Sequence, residues 1–243
     1  GTSWLFDIFA PGERPTAAML DAAVPDVPVI LDANDLHSVW VNTAALQAME
    51  IDRSTPDPVG GEIVRDDEGD ATGFLLETAA MKHAWGYLEA MASDADRDRF
   101  LENACNAYLE TGVTGATEMS FGAADLAAYR RRLDRDGRLP CPVNAHWLLT
   151  ASGSLETDLA EVAEVARLRD EVAAQCGEDW LRIAGVKFIL DGVIDACTAT
   201  MRAPYANGAL PGPIWEREFA LPVAVAADAA GLQLALHALG DEA

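Results

Sequence analysis

Residues 181–191, LRIAGVKFILD, and residues 232–241, LQLALHALGD, decide how this chain is read. Each is an apolar run of strand length followed by small or acidic turn residues, as expected of a strand buried on both faces. Each also carries one polar side chain able to hold a metal. Lys187 sits in the middle of the first run, and His237 ends the second, just before a small-residue turn and Asp241. A plain core needs neither. The organising expectation is that Lys187 and His237 point into one active site.

Working outward from this pair, the same alternation recurs. Residues 94–111 place Phe100, Leu101, Ala104, Cys105 and Tyr108 near the helical period, and Gly112 stops the helix. The segment 113–119, VTGATEM, reads as a strand. Residues 123–137 read as a helix with a basic face and Gly137 as its stop, and 142–150, PVNAHWLLT, as the next strand. A long helix over 155–175, with Gly177 after it, leads to the 181–190 strand. A Pro/Gly-rich loop, a helix over about 215–230 and the 232–237 strand complete the series. Repeated βα units imply a parallel sheet with helices outside it. No GxGxxG or GxxxxGK[ST] follows any strand, which removes dinucleotide and P-loop readings. Such βα units suit an α/β fold, either a (β/α)8 TIM barrel or a doubly wound sheet; polar residues at the carboxyl ends of several different strands favour the barrel, of which about half is present over residues 81–243. Half a barrel has two unpaired edges and is expected to need partner strands.

Residues 1–80 follow another rhythm and read as an inserted, β-rich cover segment. Loop signals at 10–12 and 14–15 precede a short helix capped by Thr16. A strand is expected over 27–31, at an edge because of Pro28, and a capped helix starts at Thr43. Residues 62–65 and 73–76, joined by DDEGD, form a hairpin.

The bulk numbers exclude more than they assign. Seventeen basic against 40 acidic residues give a net charge of −23, which argues against nucleic acid or an anionic membrane as partner. Lysine occurs only at 82 and 187, so a lysine inside a strand is hard to dismiss as surface decoration. Cys105, Cys141, Cys176 and Cys197 are far apart and form no CxxC pair, which fits reduced thiols in a cytoplasmic protein better than a zinc ribbon or disulfide scaffold. The opening GTSWLFDIF has no basic stretch or small-residue cleavage site, and no apolar run approaches a membrane span. The expected partner is a small-molecule substrate, with self-association left open.

The candidate chemistry starts from Lys187. Desolvated on a strand, its amine loses its proton more easily, and a neutral amine adds carbon dioxide to become a carbamate able to bridge two divalent ions. A neutral imidazole at His237 is an ordinary ligand for zinc-like metals. Against this stands a lysine that reaches the strand end and pairs with an acid such as Asp191, and a histidine that belongs to the turn. Asp191 and Asp241 are candidates to support the site from behind, though both also suit ordinary turns. Glu118 ends its strand. His146 reads more naturally as a satisfied histidine of the strand face than as a ligand. His37, Trp40 and Asn42 together make a candidate substrate wall, and His83 reads as helix surface.

Several strings in this order resemble amidohydrolase family 3: DLHSVWVNTAAL at 35–46, GGEIVRDDEGDATGFLLETA at 60–79, GVTGATEM, GVKFILDGVIDACTA at 185–199 and HALGDEA at the end. The resemblance implies a metal-dependent hydrolase of non-peptide C–N bonds, built on a distorted barrel with one or two divalent metals, usually zinc. Lys187 then matches the carboxylated lysine of the fourth strand and His237 the histidine of the fifth. The family's HxH pair, sixth-strand histidine and eighth-strand aspartate have no counterpart in these residues, and glutamate at 118 replaces the usual aspartate. Two other readings remain: a relative that keeps the barrel as a binding or regulatory protein, and a metal-independent enzyme using Lys187 as a Schiff-base lysine.

Overall fold

In the computed structural model, which describes residues 1–10, 12–176 and 179–243, the chain divides into two units. One comprises residues 1–91, 190–214 and 238–243, and the other 92–189 and 215–237. Pro11, part of the first loop signal, and Gly177, the expected helix stop, lie outside the described residues.

The first unit is built on a four-stranded antiparallel sheet: β1 (Ile30–Asp32), β2 (Ser38–Val41), β3 (Gly61–Arg65) and β4 (Ala71–Glu77), in the order β1-β2-β4-β3. The expected hairpin is present as β3 and β4, paired Ile63 to Leu75, but it is only half of this sheet. β1 begins later than the sequence suggests. Pro28 has no N–H to give, and the Val29 amide donates to the side chain of Asn42. β2 went unread because it is buried on both sides and has no alternation to betray it. Val39, Val41 and Leu75 pack with Ala45 and Leu46 of α2 (Thr43–Ala48). On the opposite face Trp40 meets Trp4 and Phe9 edge to face. α1 (Ala17–Asp21) precedes the sheet. Asn42 caps α2 by accepting from the Ala45 amide and also donates to the Val24 and Val27 carbonyls. A single π-helical turn, Ala80–Trp85, and α3 (Gly86–Met91) follow β4. His83 is half-buried there rather than on the surface, and burial pushes its imidazole pKa down.

The second unit is the expected α/β alternation: α4 (Asp94–Glu110), β5 (Ala116–Phe121), α5 (Ala123–Asp136), β6 (Val143–Leu148), α6 (Leu155–Cys176), β7 (Leu181–Ile189), α7 (Arg217–Ala229) and β8 (Gln233–His237). The four strands pair in parallel in sequence order. One face of the sheet carries Val143, Ala145, Trp147, Leu181, Ile183, Val186 and Phe188, all buried. The Trp147 indole reaches Glu161 of α6, and Phe188 packs on Trp215 just before α7, so this is the helix-covered face. Gly137 ends α5 at φ 70°, a left-handed cap that costs glycine nothing. α4 departs from expectation. It is a well-capped helix, with Ser93 and Asp96 forming a reciprocal capping box, but Phe100, Tyr108 and Leu109 face solvent and only Cys105 is buried.

Among the described residues no helix is long and apolar enough to cross a membrane. All four cysteines are free thiols, Cys105 and Cys141 buried and the other two half-buried.

Candidate metal centre

Register puts the two opening residues on one side of the sheet. Lys187 pairs with Ala235 and Ile189 with His237. Paired residues of a parallel ladder share a face, and so do residues two apart on a strand. Lys187 and His237 are therefore diagonal neighbours on the face turned away from the helices, near the carboxyl ends of adjacent strands. Both are half-buried. Burial lowers the Lys187 amine from its ordinary pKa, which favours the neutral form needed to bind a metal or carbon dioxide.

His146 lies on this same face, paired with Gly185. Gly185 in turn pairs with Gln233, and it has no side chain to separate its neighbours. His146 Nε2 and Gln233 Oε1 come within 3.2 Å across it. A Cβ at residue 185 would meet the Gln233 carbonyl oxygen at 2.0 Å, so glycine is required there. His146 Nδ1 is buried without a partner. Thr117, Asn144, His146, Arg182 and Gln233 line a cavity of about 660 Å³. Most of these residues sit near the amino ends of their strands, away from the end that carries His237. Glu118 pairs with Ala145, which belongs to the helix-covered face. The register thus turns Glu118 away from His146 and Lys187. Its carboxylate accepts from the Ser120 amide, and its charge helps burial raise the Tyr129 hydroxyl pKa above its ordinary value.

The remaining candidates belong to the first unit. Asp191 is fully buried and accepts three backbone N–H groups: Thr200 at 3.0 Å, Leu239 at 2.9 Å and Gly240 at 2.7 Å. It therefore ties the segment following β7 to the turn two residues beyond His237. Asp241 accepts from the Arg202 amide at 2.9 Å in an exposed setting. His37 is buried with Nδ1 2.6 Å from Glu77 Oε2. Since a carboxylate can only accept, that nitrogen carries the proton. Thr198 donates its hydroxyl to the other Glu77 oxygen and accepts from the Val193 amide. Gly192 fits only because it is glycine; a Cβ there would fall 2.2 Å from Glu77 Oε1. Trp40 does not line an open wall. It is buried, its indole N–H donates to the Thr16 carbonyl, and its ring is held in the aromatic cluster. Beside His37, burial raises the Asp35 carboxyl pKa above its ordinary value.

Glu77 and Thr198 were not singled out by sequence. The only local sign was an acid ending the apolar run GFLLE, and Thr198 is 121 residues away from it.

The donors fit a divalent metal in kind but not in number. Among the described residues no group of three or more His, Cys, Asp or Glu side chains is placed to hold an ion. Lys187 and His237 are two metal-capable side chains on one face of the sheet, fewer than an ion needs.

The chain is 29% identical over 241 residues to the exoenzymes regulatory protein AepA of Pectobacterium carotovorum subsp. carotovorum, covering 96% of this chain and 48% of that protein. It is 37% identical over 129 residues to the N-substituted formamide deformylase of Arthrobacter pascens, covering 52% of this chain and 24% of the enzyme. Its fold matches the crystal structure of an uncharacterized metal-dependent hydrolase from Pyrococcus horikoshii OT3 with a TM-score of 0.62 and 25% identity, over all of this chain and 44% of that one. The chain thus spans less than half the length of these relatives. Residues 8–243 match the amidohydrolase family 3 description throughout, and the chain belongs to the amidohydrolase family.

Proposed function

We propose that this chain carries the Lys187 and His237 part of a metal-dependent amidohydrolase that cleaves a non-peptide C–N bond of the amide type. The observation that carries the reading is the register. Two metal-capable side chains, one with its amine pKa lowered by burial, share a face at the carboxyl ends of adjacent parallel strands. That is where (β/α)8 enzymes keep their chemistry. The sheet is read as about strands 2 to 5 of such a barrel, and the first unit as its β-rich companion. Membership of the family and the likeness to an N-substituted formamide deformylase support an amide or formamide substrate.

Lys187 and His237 would hold one or two divalent ions, zinc by the chemistry of the donors. When bound, the metal lowers the pKa of a coordinated water and polarises the substrate carbonyl. The chain's own residues do the rest. The neutral Lys187 amine attacks carbon dioxide, a C–N bond forms, one proton leaves, and the carbamate offers two oxygens. The Asp191 carboxylate fixes the turn after His237 by holding the Leu239 and Gly240 amides. Free thiols support a reducing, cytoplasmic setting.

The test is hydrolysis of N-substituted formamides by the purified whole protein that contains this stretch, followed by formate release; residues 1–243 alone should not turn over. Activity should disappear with a chelator and return with zinc, and Lys187→Ala should not be rescued. Turnover insensitive to the chelator would remove the metal from the reading. A second reading, a regulatory protein without turnover, is favoured by the likeness to AepA along almost the whole chain. Under that reading the barrel is kept without its metals, and no formamide is cleaved.

A further inference from the structure

Three distant segments meet at the Glu77 carboxylate, and each reaches it through unusual backbone. Glu77 itself sits at φ 52°, Leu36 beside His37 at φ 60° and Cys197 beside Thr198 at φ 58°. These are three of the five non-glycine residues with positive φ among the described residues. Bulky side chains rarely hold this conformation, and where they do the surroundings enforce it, most often at working sites. Here the surroundings are the hydrogen bonds of one side chain. Glu77 is 4% exposed and accepts from His37 Nδ1 on one oxygen and from the Thr198 hydroxyl on the other. Its backbone amide also donates to the His37 carbonyl at 2.8 Å. Burying a carboxylate carries a desolvation penalty, and apolar side chains of the same size would join these segments without it. What a carboxylate adds is direction, since two oxygens in one plane fix two donors at set positions.

The segment held through Thr198 is the one that leaves the Lys187 strand. Thr198 closes a tight loop: the Gly192 amide donates to its carbonyl, the Val193 amide to its hydroxyl, and its own amide to the Val193 carbonyl. Nearby, the Thr200 amide donates to Asp191, and the Thr200 carbonyl accepts from the Glu242 amide. A Cβ on Gly240 would fall 1.9 Å from that carbonyl oxygen, so the turn after β8 lies directly against Thr200. The Leu239 and Gly240 amides end on Asp191 as well. The first residues after β7 and the first after β8 thus form one hydrogen-bonded cluster within the first unit, and Thr198 joins it to Glu77. We propose that Glu77 is a positioning residue for the Lys187 and His237 pair. By holding Thr198 it fixes together the segments into which β7 and β8 run, and with them the spacing of the two side chains. The proposal rests on the reading of those side chains as metal ligands. Lys187 lies four residues before Asp191 and His237 two before Leu239, so slack in the cluster reaches both through the chain itself.

The test uses the whole protein that contains this stretch. Thr198→Val keeps the shape without the hydroxyl, Thr198→Ser keeps the hydroxyl, and Glu77→Gln keeps the size while turning an NH2 toward one of the two donors. Hydrogen exchange on metal-free protein should show the Val193, Thr200, Leu239 and Gly240 amides losing protection in Thr198→Val and Glu77→Gln and keeping it in Thr198→Ser. Zinc affinity at the tightest site, measured by chelator competition well below the melting temperature, should fall about tenfold or more in the first two variants, the scale set by groups that support metal ligands. It should return in Thr198→Ser. Ile63→Val, buried in the same antiparallel sheet and outside the cluster, controls for lost stability: it should lower the melting temperature and leave the affinity unchanged. Lys187→Ala separates the two readings. If it weakens zinc binding while Thr198→Val and Glu77→Gln do not, the metal reading stands and the role of Glu77 is overturned. If Lys187→Ala leaves binding unchanged, both fall. Unchanged exchange at the four amides, or an equal loss of affinity in Ile63→Val, would also overturn the proposal.

Discussion

Asp191→Ala is the perturbation whose size follows most directly from the structure. The Asp191 carboxylate is fully buried and accepts from three backbone amides, Leu239 on Oδ1 and both Thr200 and Gly240 on Oδ2. A hydrogen bond to a charged group contributes about 1.5–3 kcal/mol, and a buried donor left without its partner costs about 1–3 kcal/mol. Only the Thr200 bond is fully buried; the Leu239 and Gly240 amides lie at a partly exposed turn and can turn to water. Counting Thr200 in full and the other two at a fraction gives a loss of about 3 kcal/mol. Against a typical stability of about 5–15 kcal/mol that is a large fraction. Asp191→Asn should lose roughly half as much, since it keeps one acceptor oxygen and places an NH2 against at least one donor. Urea unfolding measures the total, and hydrogen exchange locates it: the Thr200, Leu239 and Gly240 amides should lose protection while those of β3 and β4 keep theirs. A loss below about 0.5 kcal/mol for Asp191→Ala, the size of an ordinary surface change, would refute this account of the turn.

Two further outcomes follow from the sheet. Gly185→Ala sets a Cβ against the Gln233 carbonyl oxygen and carbon, backbone atoms that cannot swing aside. Overpacking of this kind costs about 1–3 kcal/mol, and the variant should also separate His146 from Gln233; unchanged unfolding together with unchanged His146 chemical shifts would contradict it. The lowered Lys187 amine gives a pH signature in metal-free protein. The folded chain releases that proton at a lower pH than the unfolded chain does. Between the lowered value and the ordinary 10.5 the unfolded state therefore holds more protons, and stability from this group rises with pH. Melting temperatures of Lys187→Met should lack that rise, and identical slopes for the two proteins would show that the amine is not desolvated.

The second unit was legible because each βα repeat announces itself locally. Glycine stops at 112, 137 and 231 all adopt positive φ, and apolar runs mark β6, β7 and β8. The first unit was harder for a physical reason. β2 is buried on both faces, so it lacks the alternation that identifies a strand, and its partner β4 was visible only through the hairpin turn. Lys187 and His237 could be picked out because a polar group in an apolar strand is costly and so conspicuous. That His146 shares their face could not be read, because an irregularity in the β6–β7 pairing between Ala145 and His146 shifts the register. Glu118 shows the same limit: only the paired register reveals that it faces the helices. The His37–Glu77–Thr198 chain is assembled from three distant segments, and nothing local predicts it. The α4 stripe was read correctly as a pattern but not as a surface, since periodicity says which residues share a face and not what covers it.

The central claim is that Lys187 and His237 take up one divalent ion together. With a net charge of −23 the surface will collect cations widely, so a site-resolved measurement is needed rather than a bulk one. Titrating Mn2+ into isotope-labelled protein and following amide relaxation provides it. The amides of Lys187 to Ile189 and of Leu236 and His237 should broaden first, and the effect should vanish in Lys187→Ala/His237→Ala while broadening elsewhere persists. Equal broadening of these amides in the double variant, or none in the parent protein, would contradict the claim.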